Sequence, residues 1–269
     1  MRNESSTAVD QQPDHRPTLR VLEVLEVLAQ HPEGSTLTDL SQAAGISKST
    51  MVPILRTMER HNFIAMDPVD KSYTVGIKAF SVGSSFVEKV PVVAMLRAEM
   101  EHAVSVCQET CQLGVLDGPD VLYIAKVDST QSIRLISSIG KRIPAYCTAL
   151  GKALLSEMPA EAIAELFPEP LDAFTSHTLD SVDEVVSQIA AQRETGIFRE
   201  NEESSENVIC FSVPLRRADE IVAAVSISVL KFRLTAEKER EVIECLNSLR
   251  ENAERLLETY PESSSLILN

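Results

Sequence analysis

The segment GISKSTMVPILRTMERHNFI, Gly45–Ile64, constrains this chain more than any other. A small turn at Gly45 and Ile46 leads to Ser47, an N-cap residue type whose side-chain oxygen can meet a free amide of the first helical turn. Lys48, Ser49 and Thr50 follow, then apolar residues at helical spacing, with Arg56 and Arg60 toward the far end. Such a helix buries one face and presents a polar first turn. Upstream, Leu19, Val21, Leu22, Val24, Leu25, Val27 and Leu28 predict a helix over residues 17–30. HPEGST then breaks the chain, and LTDLSQAAGI predicts a short helix closed near Gly45. Downstream, FIAMDPVDKSYTVG reads as two short strands around an Asp/Pro-rich turn. Three helices and a hairpin in that order predict a winged helix-turn-helix over residues 17–76. The second helix, the turn and the third helix would form its reading unit.

The rest of the chain changes pattern. Residues 77–90 predict a linker helix, Pro91 breaks it, and a longer helix runs to about residue 109. CQLGVLDG, DVLYIAKV, SIRLISS, VICFSVPL and IVAAVSISV have the composition of strands. Helical segments are expected at 148–157, 160–167 and 182–195, and a long amphipathic helix at 235–259. Residues 91–260 therefore predict an α+β domain, an antiparallel sheet flanked by helices. Residues 1–16 read as a disordered leader and 261–269 as a flexible tail. No apolar run is long enough to span a membrane and no signal-like leader is present, so a cytoplasmic chain without membrane partners is expected.

Charge separates the two parts. The chain carries a formal net charge of -15, yet residues 16–78 hold seven bases against seven acids. Residues 1–15 contribute -2, so -13 lies beyond residue 78. At physiological salt the screening length is about 8 Å, so distant carboxylates act weakly on a helix lying in DNA. The first turn of the third helix would sit nearest the bases, with Ser47, Lys48, Ser49 and Thr50 as candidate contacts to base edges or phosphates. Arg56 and Arg60 suit phosphates, or ion pairs with Glu59 and Asp39. Lys71 and Ser72 at the wing suit the backbone beside the groove, and Thr36 and Thr38 a phosphate or a helix cap. Pro53 removes one helical hydrogen bond and tends to kink the helix that carries these groups.

In the second part, CTALGKALL begins a helix that Thr148 can cap. The first free N–H groups of such a helix, around Ala149 and Leu150, suit an anion. Ser226 and Ser228 lie two apart on one strand and Val208 and Cys210 two apart on another, so each pair shares a face.

Three stretches together resemble the IclR family of bacterial transcription regulators: LTDLSQAAGISKST with ILRTMERHNFI and YTVGIKAFSVG; IGKRIPAYCTALGKALLSEMP; and GIFRENEESSENVICFSVPLRRADEIVAAVSISV. The resemblance spans residues 18–260. It implies an N-terminal domain bound to double-stranded operator DNA and a C-terminal effector domain with a GAF-like or profilin-like fold. It further implies a homodimer or homotetramer, no cofactor and no catalysis, and a regulator of repressor type. On the matched positions it implies a pocket formed by Leu135, Ala149, Leu150, Glu200, Val208, Cys210, Ser226 and Ser228. There the serines and the amides would hold a small carboxylate, and Glu200 would accept from a ligand hydroxyl.

Two other classes stay open on the residues themselves. Cys107, Cys111, Cys147 and Cys210, with His102, could meet around a metal or act as a redox sensor, though no CxxC pair occurs. An enzyme on the C-terminal domain would need a nucleophile elbow, an HExxH or a phosphate-cradling loop, and the sequence carries none. Clustered carboxylates in NEESSE, residues 201–206, read as a solvated loop, and Lys152 as a partner in a surface ion pair.

Overall fold

The computed structural model describes residues 14–88, 91–135 and 137–259; all but three residues of the expected leader, and the expected tail, lie outside them. The chain divides into two compact units, 1–85 and 86–269.

In the first unit, α1 (Arg16–Gln30) starts with Pro17 in its first turn, where a missing N–H costs nothing. A two-residue strand β1 (Ser35–Thr36) leads into α2 (Leu37–Ala43). Thr36 and Asp39 form a reciprocal capping box at the start of α2, so Thr36 is a helix cap. Gly45, at φ +61°, turns the chain into α3 (Lys48–Arg60), which continues through Pro53. Thr57 Oγ1 donates to the Pro53 carbonyl at 2.8 Å. The wing is β2 (Ile64–Met66) and β3 (Ser72–Val75), with β1 added on the other side of β3. Ser72 is buried where β3 pairs with β1, so it is not the surface group expected of it. Val24, Leu28, Leu40, Met51, Leu55, Met58 and Ile64 form the core. The helical period of the three helices brings those side chains to one centre. Helix α4 (Ile77–Glu88) follows, and the division between the units falls within it.

The second unit opens with α5 (Pro91–Cys107), β4 (Thr110–Asp117) and β5 (Asp120–Val127). It continues through β6 (Arg142–Pro144), α6 (Ala149–Leu154), α7 (Ala160–Leu166) and α8 (Val182–Arg193). Strands β7 (Phe198–Asn201), β8 (Val208–Arg217) and β9 (Glu220–Leu230) come next, and α9 (Ala236–Thr259) closes it. The six strands run β6-β5-β4-β9-β8-β7, antiparallel throughout. Strand parity sorts the side chains. On β8 and β9, Ile209, Phe211, Val213, Val225, Ile227 and Val229 face α5 and α9. The opposite face carries Cys210, Ser212, Ser226 and Ser228, and α6, α7 and α8 cover part of it.

Of the expected strand SIRLISS, Ile136 lies outside the described residues, and none of the others is in a strand. The edge of β5 is taken instead by β6 and by Gly140 and Lys141. Ser137 and Ile133 are each tied by a side chain, with Lys126 Nζ on the Ser137 carbonyl at 2.7 Å and Arg233 Nη1 on the Ile133 carbonyl at 2.9 Å. Short β6 and β7 were not evident in the sequence. They are edge strands of three and four residues whose pairing comes from their longer neighbours.

Gly151 of α6 passes so close to the turn at Ala145–Cys147 that a Cβ would stand 2.0 Å from the Ala145 carbonyl oxygen. Gly151→Ala should therefore cost ~3 kcal/mol or more. Chemical denaturation followed by circular dichroism measures it, and a loss under about 1 kcal/mol would show that α6 can draw back.

Candidate functional site

The exposed end of the first unit is built on the start of α3. Ser47 is the N-cap residue by backbone conformation, but its hydroxyl makes no cap bond. It lies instead 3.1 Å from Ser49 Oγ and 3.0 Å from Thr50 Oγ1. The free amides of the turn are thus left to an outside acceptor, beside a cluster of three hydroxyls. Lys48 Nζ donates to Thr38 Oγ1 at 2.8 Å, which ties α3 to α2 and leaves the ammonium two further donors. Lys48, Ser49 and Arg56 are exposed. Neither the Arg56 nor the Arg60 guanidinium meets Glu59 or Asp39; the Asp39 carboxylate belongs to Thr36. Lys71 stands in the wing turn with φ +62°, held by Asp67, whose Oδ1 accepts from Val69 N at 2.7 Å.

In the second unit, all eight residues singled out for a pocket line one cavity: Leu135, Ala149, Leu150, Glu200, Val208, Cys210, Ser226 and Ser228. Tyr123, Ser137, Lys141, Ile143, Thr148, Ser204 and Ser205 complete its wall, and its free volume is about 40 Å³. The sheet register makes the floor. Ser226 stands between Gln112 and Ser212 in one row, and Ser228 between Thr110 and Cys210 in the next. Thr148 caps α6, accepting from Gly151 N at 2.9 Å, and sets Ala149 and Leu150 against the cavity.

Behind this wall lies a buried ionic cluster that the sequence reading placed at the surface. Lys152 is fully buried, and its ammonium donates to both oxygens of Glu203 at 2.6 and 2.5 Å. Burial pushes the Lys152 pKa down, against the pull of Glu203. Loop 201–206 is accordingly no solvated charge run: Glu202 and Glu203 are buried. Thr175 and Thr178 hydroxyls donate to the carbonyls of Glu202 and Glu203 at 2.6 and 2.7 Å. A periodicity count cannot find this pair, because its members lie 51 positions apart.

Glu200 is also fully buried and accepts from Glu203 N at 2.8 Å. Burial raises its pKa to about 7, although the Cys210 thiol and the Glu203 amide favour the anion. The thiols do not converge. Cys107 and Cys111 pack with α5 and α9, whereas Cys147 lies in the cluster on the other face. Burial drives Cys147 up to about 12 and Cys210 well above the usual thiol range, which disfavours the thiolate needed for metal binding or oxidation. The four-cysteine metal site weighed from the sequence is thereby overturned.

Comparison with known proteins bears on both parts. Family models match residues 18–68, as the IclR helix-turn-helix domain, and 84–256, as the C-terminal domain of bacterial transcriptional regulator IclR. The transcriptional regulator KdgR of Dickeya chrysanthemi is 31% identical over 247 residues, 91% of this chain and 81% of that protein. An IclR transcriptional regulator from Alicyclobacillus acidocaldarius superposes with TM-score 0.80 at 22% identity, covering 91% of this chain and all of the other. An IclR homologue from Microbacterium hydrocarbonoxydans, solved in complex with 4-hydroxybenzoate, gives TM-score 0.75 at 20% identity, with 91% and 100% covered.

The folded protein keeps the Glu200 proton to about pH 7, whereas an unfolded glutamate releases it near 4.5. The stability this group contributes is complete below pH 4.5 and is lost as pH rises toward 7. Glu200→Gln should match the wild type near the lower value and be more stable by on the order of 3 kcal/mol near pH 8. Denaturation curves with an equal gap at both pH values would exclude a neutral buried carboxyl.

Proposed function

The chain belongs to the IclR family of bacterial transcriptional regulators, and on that premise we propose how its two units divide the work. The protein is a ligand-responsive, DNA-binding regulator. The start of α3 enters the major groove of an operator, with Ser47, Lys48, Ser49 and Thr50 nearest the bases. Arg56, Lys71 and the Thr36–Thr38 corner of α2 lie against phosphates. Few bases in each head mean few counterions released, so one head alone binds weakly. Paired subunits in a homodimer or homotetramer recover affinity by engaging two half-sites at once.

The effector is a small carboxylate, bound in the cavity of the second unit. The observation that carries this reading is the convergence there of two strand serines, the capped start of α6 and a protonatable Glu200. The carboxylate bound by the fold relative from Microbacterium hydrocarbonoxydans supports the class. Leu135, Leu150 and Val208 give the apolar side. The effector acts by binding two arrangements of the paired heads unequally, since equal affinity would shift nothing. The chain silences a promoter rather than catalysing a reaction, and no resident cofactor enters the scheme.

Lys48→Ala should weaken operator binding by about tenfold or more and leave effector affinity unchanged. Ser226→Ala combined with Ser228→Ala should blunt the effector response and leave operator binding intact. Operators selected from a genomic library, followed by gel-shift titration with and without a carboxylate found by thermal shift, measure both. Unaltered DNA affinity in the first variant removes α3 from the groove; an undiminished response in the second moves the effector elsewhere.

A further inference from the structure

Beneath the two cavity serines lies a buried amide that is not itself part of the cavity wall. Gln112 of β4 is 1% exposed, and its side chain touches three hydroxyls of that wall. Its Oε1 accepts from Ser226 Oγ at 3.3 Å and from Ser228 Oγ at 3.0 Å. Its Nε2 donates to Ser137 Oγ at 3.2 Å. A serine hydroxyl has one hydrogen. With both hydrogens directed at Gln112, Ser226 and Ser228 can offer only lone pairs to the cavity. The Cys210 thiol lies 3.2 Å from Ser228 Oγ, but its one hydrogen serves Glu200, so it does not change that. In this arrangement the pair repels a carboxylate and suits a donor.

The amide has a second arrangement in the same space. Rotation by half a turn exchanges oxygen and nitrogen, which are nearly alike in shape. The two hydrogens of Nε2 then go one to each of Ser226 and Ser228, and Oε1 accepts from Ser137. Both serine hydroxyls are now free to donate into the cavity. No backbone atom moves, and every member of the network keeps a partner in either form, as a buried polar network must.

We propose that Gln112 is a positioning residue for ligand recognition, whose amide orientation sets whether Ser226 and Ser228 accept from or donate to the molecule in the cavity. The inference rests on the reading of that cavity as the effector site. A carboxylate selects the rotated amide; a neutral ligand with an N–H or O–H donor is served by the present one. Gln112 thereby ties ligand charge to Ser137, on the side-chain-held segment that also carries Leu135.

Acetate and acetamide, alike in shape but opposite in what they ask of the serines, test it on the full-length protein. In the wild type labelled at glutamine side chains, saturating acetate should move the amide-proton contacts of Gln112 from Ser137 to Ser226 and Ser228 in nuclear Overhauser spectra. Acetamide should leave them in place. Once ionised, Gln112→Glu supplies an acceptor only, so at the alkaline pH where that buried carboxyl has lost its proton it should lose acetate by about tenfold or more while keeping acetamide. Acetate binding equal in variant and wild type, or bound acetate with unmoved amide contacts, overturns the role of Gln112 and leaves the cavity's assignment standing. Loss of both probes in the variant is a packing effect, and the contacts in the wild type then decide. Failure of acetate to perturb Ser226 or Ser228 in the wild type overturns the carboxylate site itself.

Discussion

An ammonium buried in a protein core must be matched or it is driven out, at a cost of several kcal/mol. Among the described residues Lys152 is the one fully buried lysine, and the second unit is arranged around satisfying it. Its charge requires the Glu203 carboxylate, which requires loop 201–206 to fold inward. That loop then needs its own carbonyls met, which Thr175 and Thr178 do, and Gln188 Nε2 approaches Glu203 Oε1 at 3.4 Å. The outer corner is closed by Lys231 on Glu202 and by Asn207 N on Glu202 Oε2 at 2.9 Å. One ion pair thus sets the position of Glu200, Ser204 and Ser205 on one wall of the cavity and of α6 on another. It also explains the state of Glu200. With the buried Lys152 ammonium already bidentate to Glu203, a second carboxylate in the same dry space is more stable with its proton on.

The first unit handles charge in the opposite way. Its acids are bound into local structure: Asp39 in the capping box, Asp67 and Asp70 in the wing turn on the amides of Val69 and Ser72. Hydrogen bonds from Thr36 and from Ser72 hold Asp39 and Asp70 below the usual carboxylate range, so both are firmly ionised. Its exposed bases, Lys48, Arg56 and Lys71, are not used up in ion pairs with those acids. A head with zero formal charge can therefore present a locally positive surface at the turn before α3 and at the wing. The -13 beyond residue 78 does not contradict DNA binding, since screening makes a local arrangement count for more than a total.

What could be read from the sequence was what depends on neighbours in the chain. The three helices, the wing, the cap at Thr148 and the pairing of Ser226 with Ser228 all follow from spacing, and the structure has each of them. The eight cavity residues were within reach because motifs around them resemble a family, and because strand parity places alternate residues together. The rest depended on distant partners. SIRLISS has strand composition, but the edge of β5 goes to β6, Gly140 and Lys141, and the carbonyls of Ile133 and Ser137 meet Arg233 and Lys126 instead. Lys152 sits on a helix like any surface lysine until Glu203 arrives from 51 positions away. Gln112 reads as a polar residue inside a buried strand, with nothing local to show that three hydroxyls surround it.

The materials of the cavity walls decide where a ligand can act. The floor belongs to β8 and β9, interior strands joined by a continuous ladder and buried on the α5 and α9 side. Shifting such a strand breaks many backbone bonds together, and a shift of one residue would exchange its two faces. Loop 201–206 is pinned by an ion pair whose separation would strand a buried charge. The wall with Leu135 and Ser137 differs. It is held by single bonds from Lys126, Gln112 and Arg233, each of which already has a second partner elsewhere: Asp128 for Lys126, the cavity serines for Gln112 and Glu109 for Arg233. Donors that keep a partner when those bonds break make displacement less costly, and the proposed effector reading needs a wall that differs between two states. Of the described surfaces around this cavity, the wall with Leu135 and Ser137 is the one whose movement leaves no buried charge unpaired and no ladder broken.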